Sequence, residues 1–419
     1  FIVTFMWFSS NLIWMVSVSS SIWIPLSNVF FGKDTTSTWN IFGLTGPRAM
    51  AVLAIILLIT ITFISSKGLN KISKITSIGG TVVALANVVL ILGGFFVLAS
   101  NGFESAQGFN IEQFIHSPNP AYQSPLGVLG FVVFAIFAYG GIEVVGGLVD
   151  QTENPKKTFP KAMIIATALI AFSYILGSVA IQFIASPEVL QKAGIQDAGY
   201  VVYYILANNF GINGKVIVQV YAAINLITSI AAYIIWMESP IRAMFGEVPK
   251  GTFPSFLTNK RKDGTLVNAL WTQCAILVVL ISIPLLGIGS INDFFKLLTD
   301  LSSLAVVVPY VVLICAFISF RKHNKDLDFK FFKSDALAYT VAGIALVLSC
   351  AGFFGAGLQD IVGSSGKEAT ILIIKTYGGP VILMALGLVL RALSEKSYKN
   401  KSLGKEDIEV EIVEESICE

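Results

Sequence analysis

LGVLGFVVFAIFAYGGIEVVGGLVD, residues 126–150, decides how the chain is read. The stretch is apolar over a length that crosses a bilayer. Yet Gly140 and Gly141 stand together near its middle, and Glu143 follows two residues later. A glycine inside a helix costs about 1 kcal/mol relative to alanine, and a carboxylate at that depth costs more unless it is partnered or wet. Together they predict a helix interrupted at Tyr139, Gly140 and Gly141 and facing a cavity. The half before the break would end in free carbonyls with a partial negative charge, and the half after it would begin with free amides. The carbonyls of Phe137, Ala138 and Tyr139 are therefore candidates for holding a substrate ammonium group, with Phe137 or Tyr139 as an aromatic lid. A glycine pair also lets a neighbouring helix pack closely; Glu143 favours the cavity. Glu143 either titrates a proton or, as an ion, ties the break to a neighbouring helix.

The composition around this stretch excludes several functions. Of 419 residues, 55% are hydrophobic and 13% charged, against roughly a quarter charged in soluble domains. This is not a cytosolic enzyme. Twenty-eight basic and 26 acidic side chains leave a net charge of +2, spread between apolar blocks, so no nucleic-acid surface is expected. Cys274, Cys315, Cys350 and Cys418 show no metal or redox spacing, and the two histidines, His116 and His323, lie in polar stretches. No GxxxxGK[ST], GxSxG or HExxH pattern occurs. Neither catalytic residues, nor a metal, nor a cofactor are expected; the partners are a small molecule and the lipid bilayer. Oligomeric state is not legible.

Apolar runs of about 20 residues, enough to cross a bilayer, fall at roughly 1–29, 48–65, 76–99, 126–149, 162–185, 215–240, 267–287, 292–320, 336–357 and 369–393. Ten spans follow. Basic residues gather in alternate connections: Lys67, Lys71 and Lys74; Lys156, Lys157 and Lys161; Arg242 to Lys262; and Arg321 to Lys333. The intervening segments (31–47, 100–125, 186–214, 288–291, 358–368) are poor in Lys and Arg and are read as outer loops, with both chain ends in the cytoplasm of a cell-membrane protein. Residues 1–395 form the transmembrane domain, and 396–419 a charged cytoplasmic tail expected to be a solvated extension with little fixed structure.

Polar stripes on other spans could line a pathway. Ser10, Trp14, Ser17 and Ser21 share one helical face, and Asn225, Ser229, Tyr233 and Trp236 repeat the spacing. Hydrogen bonding between helices explains such stripes equally well. Lys296 and Asp300 stand four apart near an outer end, either a self-satisfied pair or a gating and ion-coupling element.

FAIFAYGGIEVVGGLVDQTENPKKTFPKA, residues 134–162, resembles the sixth helix and following loop of the amino acid-polyamine-organocation superfamily, and FMWFSSNLIWMVSVSSSIWIPLSNVFFGKD, residues 5–34, looks like the third helix of its glutamate/GABA antiporter branch. The resemblance implies an all-α polytopic fold of LeuT-like inverted repeats with twelve helices. The ten spans would be helices three to twelve, with the first two lacking and the chain truncated at its front. It also implies that Phe137, Ala138, Tyr139, Gly140, Gly141, Ile142 and Glu143 form an unwound substrate-binding segment, and that Tyr233 stands about where related exchangers place an aromatic gate. Ser10, Trp14, Asn225 and Ser229 rest on the stripes alone. A lysine that some proton-coupled relatives use on helix five is not evident between Ser77 and Ser100. The function expected is a secondary active amino acid transporter, an exchanger or a proton-coupled permease, working by alternating access. The rival expectations are a receptor that binds amino acids without moving them, an inactive transporter fragment and an ion channel; the channel would need a continuous polar pore.

Overall fold

The computed structural model describes residues 2–68, 73–106, 117, 119, 122–141, 146, 149, 152–246, 253–282, 291–324 and 330–417. Nearly all regular structure within them is helix. The chain runs through α1 (Ile2–Ser21), α2 (Trp23–Phe31), a two-residue-strand hairpin β1 (Asn40–Ile41) and β2 (Leu44–Thr45), α3 (Pro47–Ser65) and α4 (Ser73–Ser100). It continues with α5 (Pro125–Tyr139), α6 (Pro155–Ile184), α7 (Pro187–Asn209) and α8 (Gly214–Ile241), which passes into a π-helical turn, Arg242–Gly246. After the short α9 (Ser255–Thr258) come α10 (Val267–Ile281), α11 (Ile291–His323), α12 (Asp335–Gly355), α13 (Leu358–Gly363) and α14 (Lys367–Ile417).

Among the described residues eight segments are long and apolar enough to span a membrane: α1 with α2, α3, α4, α6, α8 with its π turn, α11, α12 and the first half of α14. Two shorter apolar helices, α5 and α10, complete the ten expected. The main core joins α1, α3, α8 and α10 through residues such as Met15, Leu58, Met237 and Leu277. α1 packs along α11, α5 along α12, and α4 lies against both α6 and α8. Side chains such as Leu92, Phe172 and Ile374 stay exposed on the outer helices, as lipid-facing surface does.

Two expectations are corrected and one is refined. The first span is a single membrane-length segment made of two helices that meet at Ile22. Pro25 has no amide for the Ser21 carbonyl, and the hydroxyls of Ser19, Ser20 and Ser21 bond back to the carbonyls of Val16 and Val18, both of which bend a helix. The stretch 186–214, read as a loop, is mostly α7. Ser186 and Pro187 open it and Glu188 sits in its first turn, a start signal; Gly194 then takes φ 73° and breaks its regularity. The charged tail continues α14 as helix to Ile417, because its Glu, Lys and Leu are good helix formers.

Candidate functional site

α5 positions the site by where it stops. Ser124 caps its start by accepting the Gly127 amide at 3.0 Å, with Pro125 in the first turn. Fifteen residues later the helix ends at Tyr139. That is about 22 Å of helix, short of the about 30 Å of hydrocarbon in a bilayer. Gly140 continues in extended conformation and Gly141 takes φ 106°. Both glycines are required: a Cβ on Gly140 would meet the Tyr310 hydroxyl at 2.5 Å, and Gly141 holds a backbone angle that side-chain-bearing residues avoid. Close packing, one of the two alternatives in the sequence, holds at Gly140, where α5 ends; residues 142–145 lie outside the described residues.

A cavity of about 400 Å³ opens at this end. α1 supplies Trp7, Ser10, Asn11 and Trp14; α5 supplies Phe137 and Ala138, followed by Gly140 and Gly141. Tyr174 of α6, Trp236 of α8 and Val306 of α11 close the wall. Trp14 meets Phe137 edge to face, with ring centroids 5.1 Å apart. No charged side chain lines the cavity among the described residues. Three indoles and a phenylalanine ring line it; the faces of such rings attract an ammonium group and their bodies suit an apolar side chain.

The carbonyls are less free than expected. The Gly140 amide donates to the carbonyls of Ile136 and Phe137, each at 3.1 Å, and the Tyr174 hydroxyl donates to that of Ala138 at 2.9 Å. An uncapped carbonyl in a low-dielectric site is costly, so the fold supplies partners; each oxygen keeps a second lone pair for a ligand.

The polar groups between α1 and α8 follow from one proline. Pro240 has no amide to give the Trp236 carbonyl four residues back. Asn11 Nδ2 donates to that carbonyl at 3.1 Å, across from α1. Gln273 Nε2 on α10 donates to the next carbonyl, Met237, at 3.2 Å.

Of the predicted site residues, Ser10, Trp14, Phe137, Ala138, Gly140 and Gly141 meet at the cavity; the Ser10 hydroxyl donates to the Ser302 carbonyl at 2.9 Å. Tyr139 is half exposed and packs on Tyr174 at 5.2 Å, outside the cavity wall. Tyr233 is buried to 1% exposure in the main core with Met15 and Leu58. Asn225 and Ser229 are partly buried higher on α8, away from the cavity wall. Ile142 and Glu143 lie outside the described residues, as does the Lys296 side chain. Asp300 is partly buried on α11. Trp7, Asn11, Tyr174 and Val306 were missed. Trp7, Asn11 and Trp14 fall at i, i+4 and i+7, a stripe that was available beside the serine one; a lone Tyr174 in a long apolar span carried no signal. Among the described residues no group of His, Cys, Asp and Glu is placed to hold a metal ion.

Comparison with known proteins agrees with this architecture. The family model for amino acid permeases matches residues 3–380. The chain is 36% identical over 408 residues to the inner membrane transporter YjeM of Escherichia coli, covering 93% of this chain and 80% of that protein. It is 30% identical over 316 residues to the aspartate/glutamate permease AcaP of Lactococcus lactis subsp. cremoris, covering 74% and 63% respectively. To the glutamate/gamma-aminobutyrate antiporter of Lactococcus lactis subsp. lactis it is 23% identical over 314 residues, covering 74% and 60%.

Proposed function

The chain belongs to the amino acid permease family, a membrane transporter rather than an enzyme, and we propose that it carries an amino acid or related amine by alternating access, with the substrate seated at the end of α5. The observation that supports this most is the aromatic cavity opening where that helix stops. The substrate ammonium would lie against the remaining lone pairs of the α5 carbonyls and the indoles of Trp14 and Trp236. Its carbon skeleton would lie along Trp7 and Val306. Rocking of α1 and α8 about α11 would move the opening from one face to the other. Exchange of one amino acid for a related amine is the mode proposed, in keeping with the antiporter among the relatives. Basic residues gathered in alternate connections support both chain ends facing the cytoplasm.

Counterflow in proteoliposomes tests this reading. Vesicles loaded with unlabelled glutamate, aspartate, 4-aminobutyrate, leucine or phenylalanine are diluted into the matching labelled compound. At least one should accumulate transiently, and Trp236→Ala should lower that uptake by about tenfold or more, as loss of a desolvated aromatic contact does. Wild-type uptake of a counterflowed compound by Trp236→Ala would remove the site. Ligand-induced thermal stabilisation with no counterflow by any of the five would favour a receptor.

A further inference from the structure

Glu238 stands two residues beyond the cavity residue Trp236, and nothing in the site described so far uses it. It is 3% exposed, in a chain segment that packs against α1, α3 and α10. One carboxylate oxygen, Oε2, meets Arg242 Nη2 at 3.4 Å, a long single-point contact. The other, Oε1, is buried with no hydrogen-bond partner. Arg242 is itself held loosely, giving its other amine to the Gly264 carbonyl at 3.4 Å. A buried ion pair needs good geometry and satisfied lone pairs to repay desolvation, and this one has neither.

The backbone around the pair is also irregular. Pro240 lies between the two partners, and Arg242 begins the π-helical turn. Such features mark hinges in helices. Asn11 and Gln273 brace the carbonyls of Trp236 and Met237 immediately before it, so a shift of α1 or α10 against α8 acts on the hinge directly. The charges that reach Glu238 are Arg242 and Asp263. Asp263 is bound to Arg261, whose Nε lies 3.0 Å from both of its oxygens. α10 adds the Cys274 thiol, and α1 has no ionisable side chain; on α3 the one such group is Arg48, at its start.

We propose that Glu238 carries a proton in the transport cycle. In the arrangement seen here it is paired with Arg242, and in the proposed cycle this is its ionised state. When the hinge moves with the change of access, Arg242 withdraws, and the unpaired buried carboxylate takes a proton from water on the open side. Return of the hinge brings Arg242 back and releases the proton to water on the other side. Substrate at Trp236 and proton at Glu238 are then linked through two residues of one helix. This rests on the transport reading, and coupling by Glu238 is separable from it, because exchange at equal pH on both sides needs no net proton movement.

The test uses proteoliposomes of the full chain containing pyranine, with whichever of the five compounds above the wild type counterflows. Wild type should show substrate uptake stimulated by an inside-alkaline gradient, with lumenal acidification. Glu238→Gln should keep counterflow at equal pH within about twofold of wild type, and lose both gradient stimulation and acidification. Acidification retained by Glu238→Gln overturns the proposal. So does wild-type counterflow with no response to the gradient, which leaves transport standing. No counterflow by wild type overturns the transport reading and this one with it. If Glu238→Gln does not reach the membrane, Glu238→Asp serves. Its shorter acid should keep acidification while moving the pH midpoint of uptake by about half a unit or more, and an unmoved midpoint counts against Glu238.

Discussion

Gly141 is the residue on which the local geometry of the site turns. With φ 106° it holds the chain where the carbonyl end of α5 faces the cavity, and its Cα faces the Trp236 ring. Gly141→Ala should cost about 1–3 kcal/mol through backbone strain, read as a lower Tm in detergent. Gly146→Ala, which meets open space, should change stability by under about 0.5 kcal/mol. If the two variants melt alike, the strained backbone at 141 is not what the structure describes. At this scale the sequence was informative where it broke its own pattern: adjacent glycines in an apolar run, and Ser10 and Trp14 on one helical face. It misjudged the carbonyls of Phe137 and Ala138. A helix end with open carbonyls recruits donors, and the Tyr174 hydroxyl that serves Ala138 comes from a helix 36 residues away in sequence. No local pattern announces such a partner.

At the scale of elements, Pro240 and Asn11 form one device, a carbonyl left open on α8 and an amide from α1 that closes it. Asn11→Ala should destabilise wild type by about 1–3 kcal/mol, the cost of an unsatisfied buried group. In a Pro240→Ala background, where residue 240 again has an amide, the same change should cost about 1 kcal/mol less. Equal costs in the two backgrounds would show that the two residues act independently. α7 carries a pH signature. Burial, and then the charge of Asp34, push the Asp197 carboxyl up to about 6, from an ordinary value near 4. The folded chain thus binds that proton more tightly than the unfolded chain, so this group's contribution to stability is present below about pH 4 and is lost as pH rises through 6. The group is partly exposed, so screening leaves on the order of 1 kcal/mol. Asp197→Asn should flatten the fall in Tm between pH 4 and 6 by that amount, and an unchanged slope would place the titration elsewhere. Apolar length alone identified the eight candidate spans and the two shorter apolar helices among the described residues. It failed for α7, which is too polar to span and announces itself only through Ser186, Pro187 and Glu188, and for the junction of two helices at Ile22, beside one proline and three serines inside an unbroken apolar run.

Taken whole, the molecule is a set of apolar helices around a cavity whose wall draws on five of them, α1, α5, α6, α8 and α11. The outer surfaces of α4, α6 and α14 remain apolar, which is stable only against lipid. The class was legible because a bilayer demands long apolar segments. The cavity's membership was only partly legible, because it is set by how helices far apart in sequence turn toward one another. The claim that substrate sits at the end of α5 stands or falls on the protection of a cysteine placed there. Ala138→Cys, made after Cys315, Cys350 and Cys418 are replaced by serine, places a thiol in the cavity wall. A thiol-reactive methanethiosulfonate should inactivate counterflow in this variant. The transported amino acid at saturating concentration should slow that inactivation by about tenfold or more, as occupancy at a hundred times Kd allows. Inactivation at the same rate with and without a compound that the variant transports would contradict the claim.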